Sequence, residues 1–186
     1  MKKIFLLTCF VILCFQNLSL ASESHDEMYY KRQIQNQRYL YSNRGFAGAI
    51  SKGNIVVVES FIKAGFDVNA TQGGLPFTMY AIVGKQPEAL ELLLKAGANP
   101  DAEYMGYSLM NYVLVSNKNS ELIKVLIANN ADVNKASKKQ IPLTYAVKAK
   151  QVKIVEMLLK AGAKPDETTM KLVNKSKDEY LKSLFE

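Results

Sequence analysis

The side chains able to do covalent or metal chemistry are few and poorly placed for it. The chain holds two cysteines, Cys9 and Cys14, and one histidine, His25. A nucleophilic centre needs a base beside the nucleophile and a third group to orient that base. A lone histidine near the start of the chain offers no such set. Structural zinc draws four ligands mainly from cysteine and histidine, and that supply is missing too. The one Gly-Gly pair, Gly73-Gly74, lacks the lysine of a phosphate-binding loop. Carboxylates are plentiful, but Glu59, Glu91 and Glu156 recur at one repeated position, and Asp101 and Asp166 at another. A position repeated along the chain belongs to the architecture and not to a single active site. The expectation is a protein that is not an enzyme and needs no metal or cofactor. The remaining chemistry is recognition: tyrosine and methionine are residue types that bury large areas at protein interfaces.

The beginning of the chain reads as a leader. Lys2 and Lys3 precede an apolar run from Ile4 to Phe15 of about 12 residues, broken only by Thr8 and the two cysteines Cys9 and Cys14, and Ser19-Leu20-Ala21 supplies small residues before Ser22. The run is too short for a bilayer-spanning helix, which needs roughly 20 residues. We expect a signal peptide over 1–21, cleaved after Ala21, and an exported, periplasmic chain. Both cysteines lie inside that leader, so the exported chain would carry no thiol and no disulfide. Removing the two leader lysines from 24 basic residues leaves 22 against 17 acidic ones, a net charge of +5. The denser basic stretches are Lys135 with Lys138 and Lys139, Lys148 with Lys150, and Lys171 with Lys175 and Lys177. They read as solvated helix and loop faces and not as a nucleic-acid interface.

What positions these residues is a repeat. Glu59 to Asn69, Glu91 to Asp101, Lys124 to Asn134 and Glu156 to Asp166 superpose. Gly65, Gly97, Asn130 and Gly162 are spaced by 32, 33 and 32, as are Asn69, Asp101, Asn134 and Asp166. Val56–Ile62, Ala89–Leu94, Leu122–Ile127 and Ile154–Leu159 are apolar on more than one face, so such helices are soluble only when stacked between neighbours. Glycine, or asparagine in its place, suits the left-handed corner that ends each one. A shorter helix precedes each later unit, at Leu75–Ala81, Ser108–Leu114 and Ile141–Val147, and the absence of strand-like alternation predicts an all-α fold.

The period, and the pattern Pro-Leu-x-x-Ala followed by Val-x-x-Leu-Leu-x-Ala-Gly-Ala-x-x-Asn, resemble the ankyrin repeat over residues 45 to 166. The fourth unit, from Ile141-Pro142-Leu143-Thr144 to Ala161-Gly162-Ala163, matches best. The family's Thr-Pro-Leu-His opening aligns with Leu-Pro-Phe-Thr at 75–78, Ser-Leu-Met-Asn at 108–111 and Ile-Pro-Leu-Thr at 141–144. The second and third units carry an extra residue around Gly84-Lys85 and Asn117-Lys118. The resemblance implies a solenoid of about four repeats, at 45–70, 71–102, 103–135 and 136–166. Residues 167–186 then form a C-terminal helical cap with Met170, Leu172, Val173, Tyr180, Leu181, Leu184 and Phe185 inward. Residues 22–44 are either a capping helix, with Tyr30, Ile34 and Tyr41 on one side, or a flexible tether.

The family's concave groove contacts protein partners. Carried over, its binding positions are the turn tips Thr71, Gln72, Tyr104, Met105, Tyr107, Lys138 and Lys139. A short-helix column follows at Met79, Tyr112 and Tyr145, and a second at Val83 and Ser116 with Lys148 beside it. The expected partner is a protein, with no nucleic acid and no membrane beyond export, and the chain alone is expected to be monomeric. The sharper expectation is an immunity or inhibitor protein against an antibacterial toxin. The alternatives are a maturation factor for a periplasmic enzyme, related to catalase or haem, and a secreted effector that binds host proteins. N-terminal sequencing of the exported chain is expected to begin at Ser22; retention of Met1 would refute the cleavage.

Overall fold

The computed structural model describes residues 25–117 and 119–186. The leader expected over 1–21 lies outside the described residues, as does Lys118. The chain forms helix α1 (25–36), then helix pairs α2 (Asn43–Ser51) and α3 (Ile55–Lys63), and α4 (Phe77–Val83) and α5 (Pro87–Lys95). Next come α6 (Leu109–Tyr112), continued by a π-helical turn (Val113–Asn117), with α7 (Ser120–Ala128), then α8 (Pro142–Lys148) with α9 (Val152–Lys160). Helices α10 (Glu167–Lys175) and α11 (Glu179–Ser183) close the stack. Between pairs, β1 (Thr71–Gln72) pairs antiparallel with β2 (Leu75–Pro76), and β3 (Glu103–Tyr104) with β4 (Tyr107–Ser108). A single bridge, Ser137 to Gln140, holds the same place in the last repeat. The fold is a mostly helical solenoid with short hairpins at its joints.

Each longer helix ends in the same way. Gly65, Gly97, Asn130 and Gly162 have φ of 75°, 93°, 61° and 89°. The amide after each reaches back to Phe61, Leu93, Leu126 and Leu158, closing the carbonyls that a helix end leaves open. Starts are capped where side chains permit: Asn54 accepts from Val57 N–H, Asn119 from Glu121 N–H and Ser108 from Asn111 N–H. With corners equivalent, successive pairs lie side by side and share one continuous core, from Ile34 through Phe61, Leu93, Leu126 and Leu158 to Leu181. The N-terminal end of that core is aromatic. Phe46 packs on Phe61 and Phe77 at 4.9 and 4.8 Å between centroids, and Tyr41 stacks on Phe61 at 5.5 Å.

Helix α1 covers this aromatic end. Ile34 is fully buried, Lys63 lies 5.6 Å from the Tyr30 ring, and Tyr41 donates its hydroxyl to Ala64 O at 2.9 Å. Burial raises the Tyr41 phenol above its ordinary value, partly opposed by the Lys31 charge. At the other end Val173 and Leu181 are buried, but Tyr180, expected to face inward, is exposed because it sits on the outer side of the short α11.

The repeated Asn/Asp position does more than turn its own loop. Asn69 donates to Gly97 O at 3.0 Å and accepts from Asn99 N–H at 2.9 Å. Asn134 repeats both bonds one joint later, to Gly162 O at 3.2 Å and from Lys164 N–H at 2.8 Å. Asp101, which has no proton to donate, keeps only the accepting half, from Asp132 N–H at 2.9 Å. Asp166 has no further repeat to reach and instead caps α10, accepting from Thr169 N–H at 2.7 Å. The Thr169 hydroxyl is the main group holding the Asp166 carboxyl below its ordinary value.

Two details correct the sequence alignment. Only the third repeat has an extra residue, and the π-helical turn Val113–Asn117 absorbs it; Gly84-Lys85 occupies the same corner as Ala149-Lys150. The prolines are also not equivalent. Pro76 is the residue before α4, whereas Pro142 is the first residue of α8. The four-residue opening therefore falls at 76–79 in the second repeat, one place later than proline alignment puts it. Replacing Asn134 with alanine removes two bonds between repeats and should lower stability by about 1–2 kcal/mol in urea unfolding. Asn134→Asp, which keeps the acceptor, is expected to lose less.

Candidate protein-binding surface

The hairpins carry the first part of the surface. In each, two central residues sit at positive φ: Gly73 and Gly74 (60° and 76°), Met105 and Gly106 (52° and 76°), Lys138 and Lys139 (48° and 63°). This is the arrangement of a type I′ turn, whose twist matches the flanking strands and whose conformation favours glycine or asparagine. A side chain there costs roughly 1 kcal/mol or more. The first hairpin avoids that cost with Gly-Gly. The later two accept it to present Met105, 73% exposed, and the two lysines.

The first helices carry the second part. Measured from the hairpins, the equivalent positions are Tyr80, Tyr112 and Tyr145, each half-buried. Tyr80 donates to Gln72 O at 3.0 Å and Tyr145 to Ser137 O at 3.1 Å, so each hydroxyl ties a hairpin to the helix after it. Burial raises the Tyr145 phenol above its ordinary value, and neighbouring Tyr107 adds to the shift. Met79, expected in this column, is a correction: it is fully buried between repeats, at the position held by Asn111 and Thr144. Those two residues bond forward, Asn111 to Lys135 O at 3.2 Å and Thr144 to the Thr169 hydroxyl at 2.7 Å. Thr78, one place off that position, has a buried hydroxyl without a hydrogen-bond partner among the described residues. Tyr80 is the residue that alignment on proline missed.

One turn further along, Val83 (55% exposed), Val115 (45%) and Lys148 form a second column. Val115 takes the place expected of Ser116, which is exposed beside it, because the π-helical turn shifts the register by one. Thr71 is exposed and Gln72 half-buried at the bare glycine hairpin, away from the richer end. In the third and fourth repeats the side chains converge. Lys138 lies 3.9 Å from the centre of the Tyr107 ring, whose centroid is 6.4 Å from that of Tyr145. Ser108 N–H donates to the Ser137 hydroxyl at 2.8 Å, fixing one hairpin against the next. Tyr104, Met105, Tyr107, Lys138 and Tyr145 thus belong to one patch. An exposed cation–π contact of this kind contributes about 0.5–1 kcal/mol.

His25 is exposed at the start of α1, away from this patch. Among the described residues, no group of three or more His, Cys, Asp or Glu side chains is placed to hold a metal ion. No helix among them is long and apolar enough to cross a membrane.

A stack of hairpin-linked helix pairs presenting such a face defines a repeat-built recognition module. Residues 106–169 match the family described as ankyrin repeats (3 copies). The chain is also 30% identical over 139 residues to the phosphocholine transferase AnkX of Legionella pneumophila. That match covers 71% of this chain and 15% of the relative. The chain is an ankyrin-repeat protein, and its repeats make it a protein–protein interaction module.

If the tip side chains serve recognition, relaxing them should separate stability from binding. Met105→Gly and Lys138→Gly/Lys139→Gly are expected to leave thermal stability unchanged or raised by up to about 1 kcal/mol. Partner affinity should fall in both. A clear loss of stability would mean that these side chains are structural.

Proposed function

We propose that the protein is exported to the periplasm and acts there without catalysis, binding a protein partner through its hairpin tips and first-helix columns. Within that reading its role is neutralisation: an immunity or inhibitor protein against an antibacterial toxin. The observation that carries the binding surface is the placement of Met105, Lys138 and Lys139 in left-handed corners beside Tyr104, Tyr107 and Tyr145. Side chains held at a conformational cost, next to aromatics that keep part of their surface in water, suit a hot spot better than a solvated loop. The export half of the reading rests on the leader residues Lys2 to Ala21. The transferase activity in the relative's name is not carried over, since the chain spans 15% of that protein.

The test is capture of a partner from an envelope extract with the chain beginning at Ser22, compared with a Tyr104→Ala/Tyr107→Ala variant. The wild-type chain should retain a partner that the variant holds at least about tenfold more weakly, equivalent to about 1.4 kcal/mol. Adding the chain to that purified partner should lower its toxic activity. Equal retention by the variant would refute the surface. A rise in the partner's activity would refute neutralisation in favour of a maturation role.

A further inference from the structure

Among the described residues some lysines are paired with a carboxylate, and others, such as Lys52, Lys85, Lys153 and Lys164, take part in no ion pair. On the outer helices four are matched one turn away: Lys63 with Glu59, Lys95 with Glu91, Lys160 with Glu156 and Lys171 with Glu167. Lys148, Lys150, Lys175 and Lys177 are not matched. Among the described residues they take part in no ion pair, yet they line one cleft of about 380 Å³ between α8 and the terminal cap. Its apolar side is Val147, Leu172 and Leu181, and no carboxylate lines it.

Two explanations short of a ligand fall away on magnitude. The cleft lies at the C-terminal ends of α8 and α10, where lysines complement helix dipoles. Each helix end carries only about half a negative charge, so four lysines leave an excess of roughly three positive charges. Solvated charges on a flat face are the other explanation, but these surround a recess with an aliphatic floor. Lys150 holds a left-handed corner (φ 54°), as Lys85 does in the second repeat (φ 57°) and Gly53 in the first (φ 65°).

We infer that this cleft binds an acidic segment of the protein partner, with carboxylates on the four lysines and an aliphatic side chain against half-buried Leu172, above the buried Val147 and Leu181. The inference rests on the protein-binding reading and extends its surface. Lys148 belongs both to the column of Val83 and Val115 and to the wall of the cleft, so a partner lying along the concave face runs directly into it. The shape disfavours a bilayer, which presents a flat surface. The floor disfavours single-stranded nucleic acid, which uses aromatic platforms for its bases.

The probe is a short fluorescent peptide of Asp, Glu and Leu, followed by anisotropy with the chain beginning at Ser22. Binding should weaken at least about tenfold in Lys175→Glu/Lys177→Glu and, from the opposite wall, in Lys148→Gln/Lys150→Gln. It should also weaken with added salt, and several-fold when serine replaces the peptide's leucines. Circular dichroism establishes that the variants are folded. The Tyr104→Ala/Tyr107→Ala chain should bind this peptide as the wild type does. Equal binding by both lysine variants overturns the inference. So does preference of the wild-type chain for phosphatidylserine vesicles or for a single-stranded oligonucleotide over the peptide. If the captured partner is lost with the tyrosine variant but held undiminished by the lysine variants, the cleft is overturned and the tyrosine face stands.

Discussion

No helix pair in this protein can bury its own apolar surface, and every other feature follows from that. Val57, Val58 and Phe61 on α3, or Leu90, Leu93 and Leu94 on α5, leave water only by packing against both their own first helix and the neighbouring pair. A pair of nine- and seven-residue helices is too short to be stable alone. Stacking supplies the missing partner, and the shared core then extends as far as the repeats do. The ends are where this logic must stop. Here it stops with α1 over an aromatic cluster at one side and the charged α10–α11 cap at the other.

Stacking needs registration as well as burial. The apolar core is non-directional and would tolerate some sliding of one pair over the next. The asparagines at 69 and 134 remove that freedom, because an amide can donate to one backbone group of the next repeat and accept from another. Asp101 can only accept, and at that joint Lys135 adds a bond to Asp101 O at 2.8 Å and pairs with Glu103 at 3.0 Å. Asp166 shows the same side-chain position used differently once the stack has ended. The chemistry of one atom, a donor present or absent, thus separates an internal joint from a terminal one.

A scaffold so regular frees its hairpin tips and first-helix faces from structural duty, and they differ from repeat to repeat. The glycine tip of the first hairpin is relaxed and featureless, while the third and fourth repeats carry strained tips, tyrosines and unmatched lysines. The side chains proposed to serve recognition are therefore concentrated toward the C-terminal half. The tyrosines serve both purposes, since the hydroxyls of Tyr80 and Tyr145 tie hairpins in place while their rings remain partly open.

The residues alone determined the repeat, its period and its corners. A glycine or asparagine recurring at 65, 97, 130 and 162 has few conformational uses, and helices apolar on several faces have one way to become soluble. They also determined which residue types would crowd the turn tips. Tertiary structure decided the register within a unit. Pro76 and Pro142 look equivalent as letters, yet proline is tolerated both just before a helix and at its first residue. Only the hairpin pairing showed that Tyr80, and not Met79, completes the tyrosine column. The π-helical turn hid Val115 for the same reason, since an inserted residue can be absorbed in either helix or loop. The lysine cleft was invisible because it joins residues of α8 and its corner to residues of the terminal cap. Which charges go unmatched depends on where every other carboxylate has been placed, and that is a property of the folded chain.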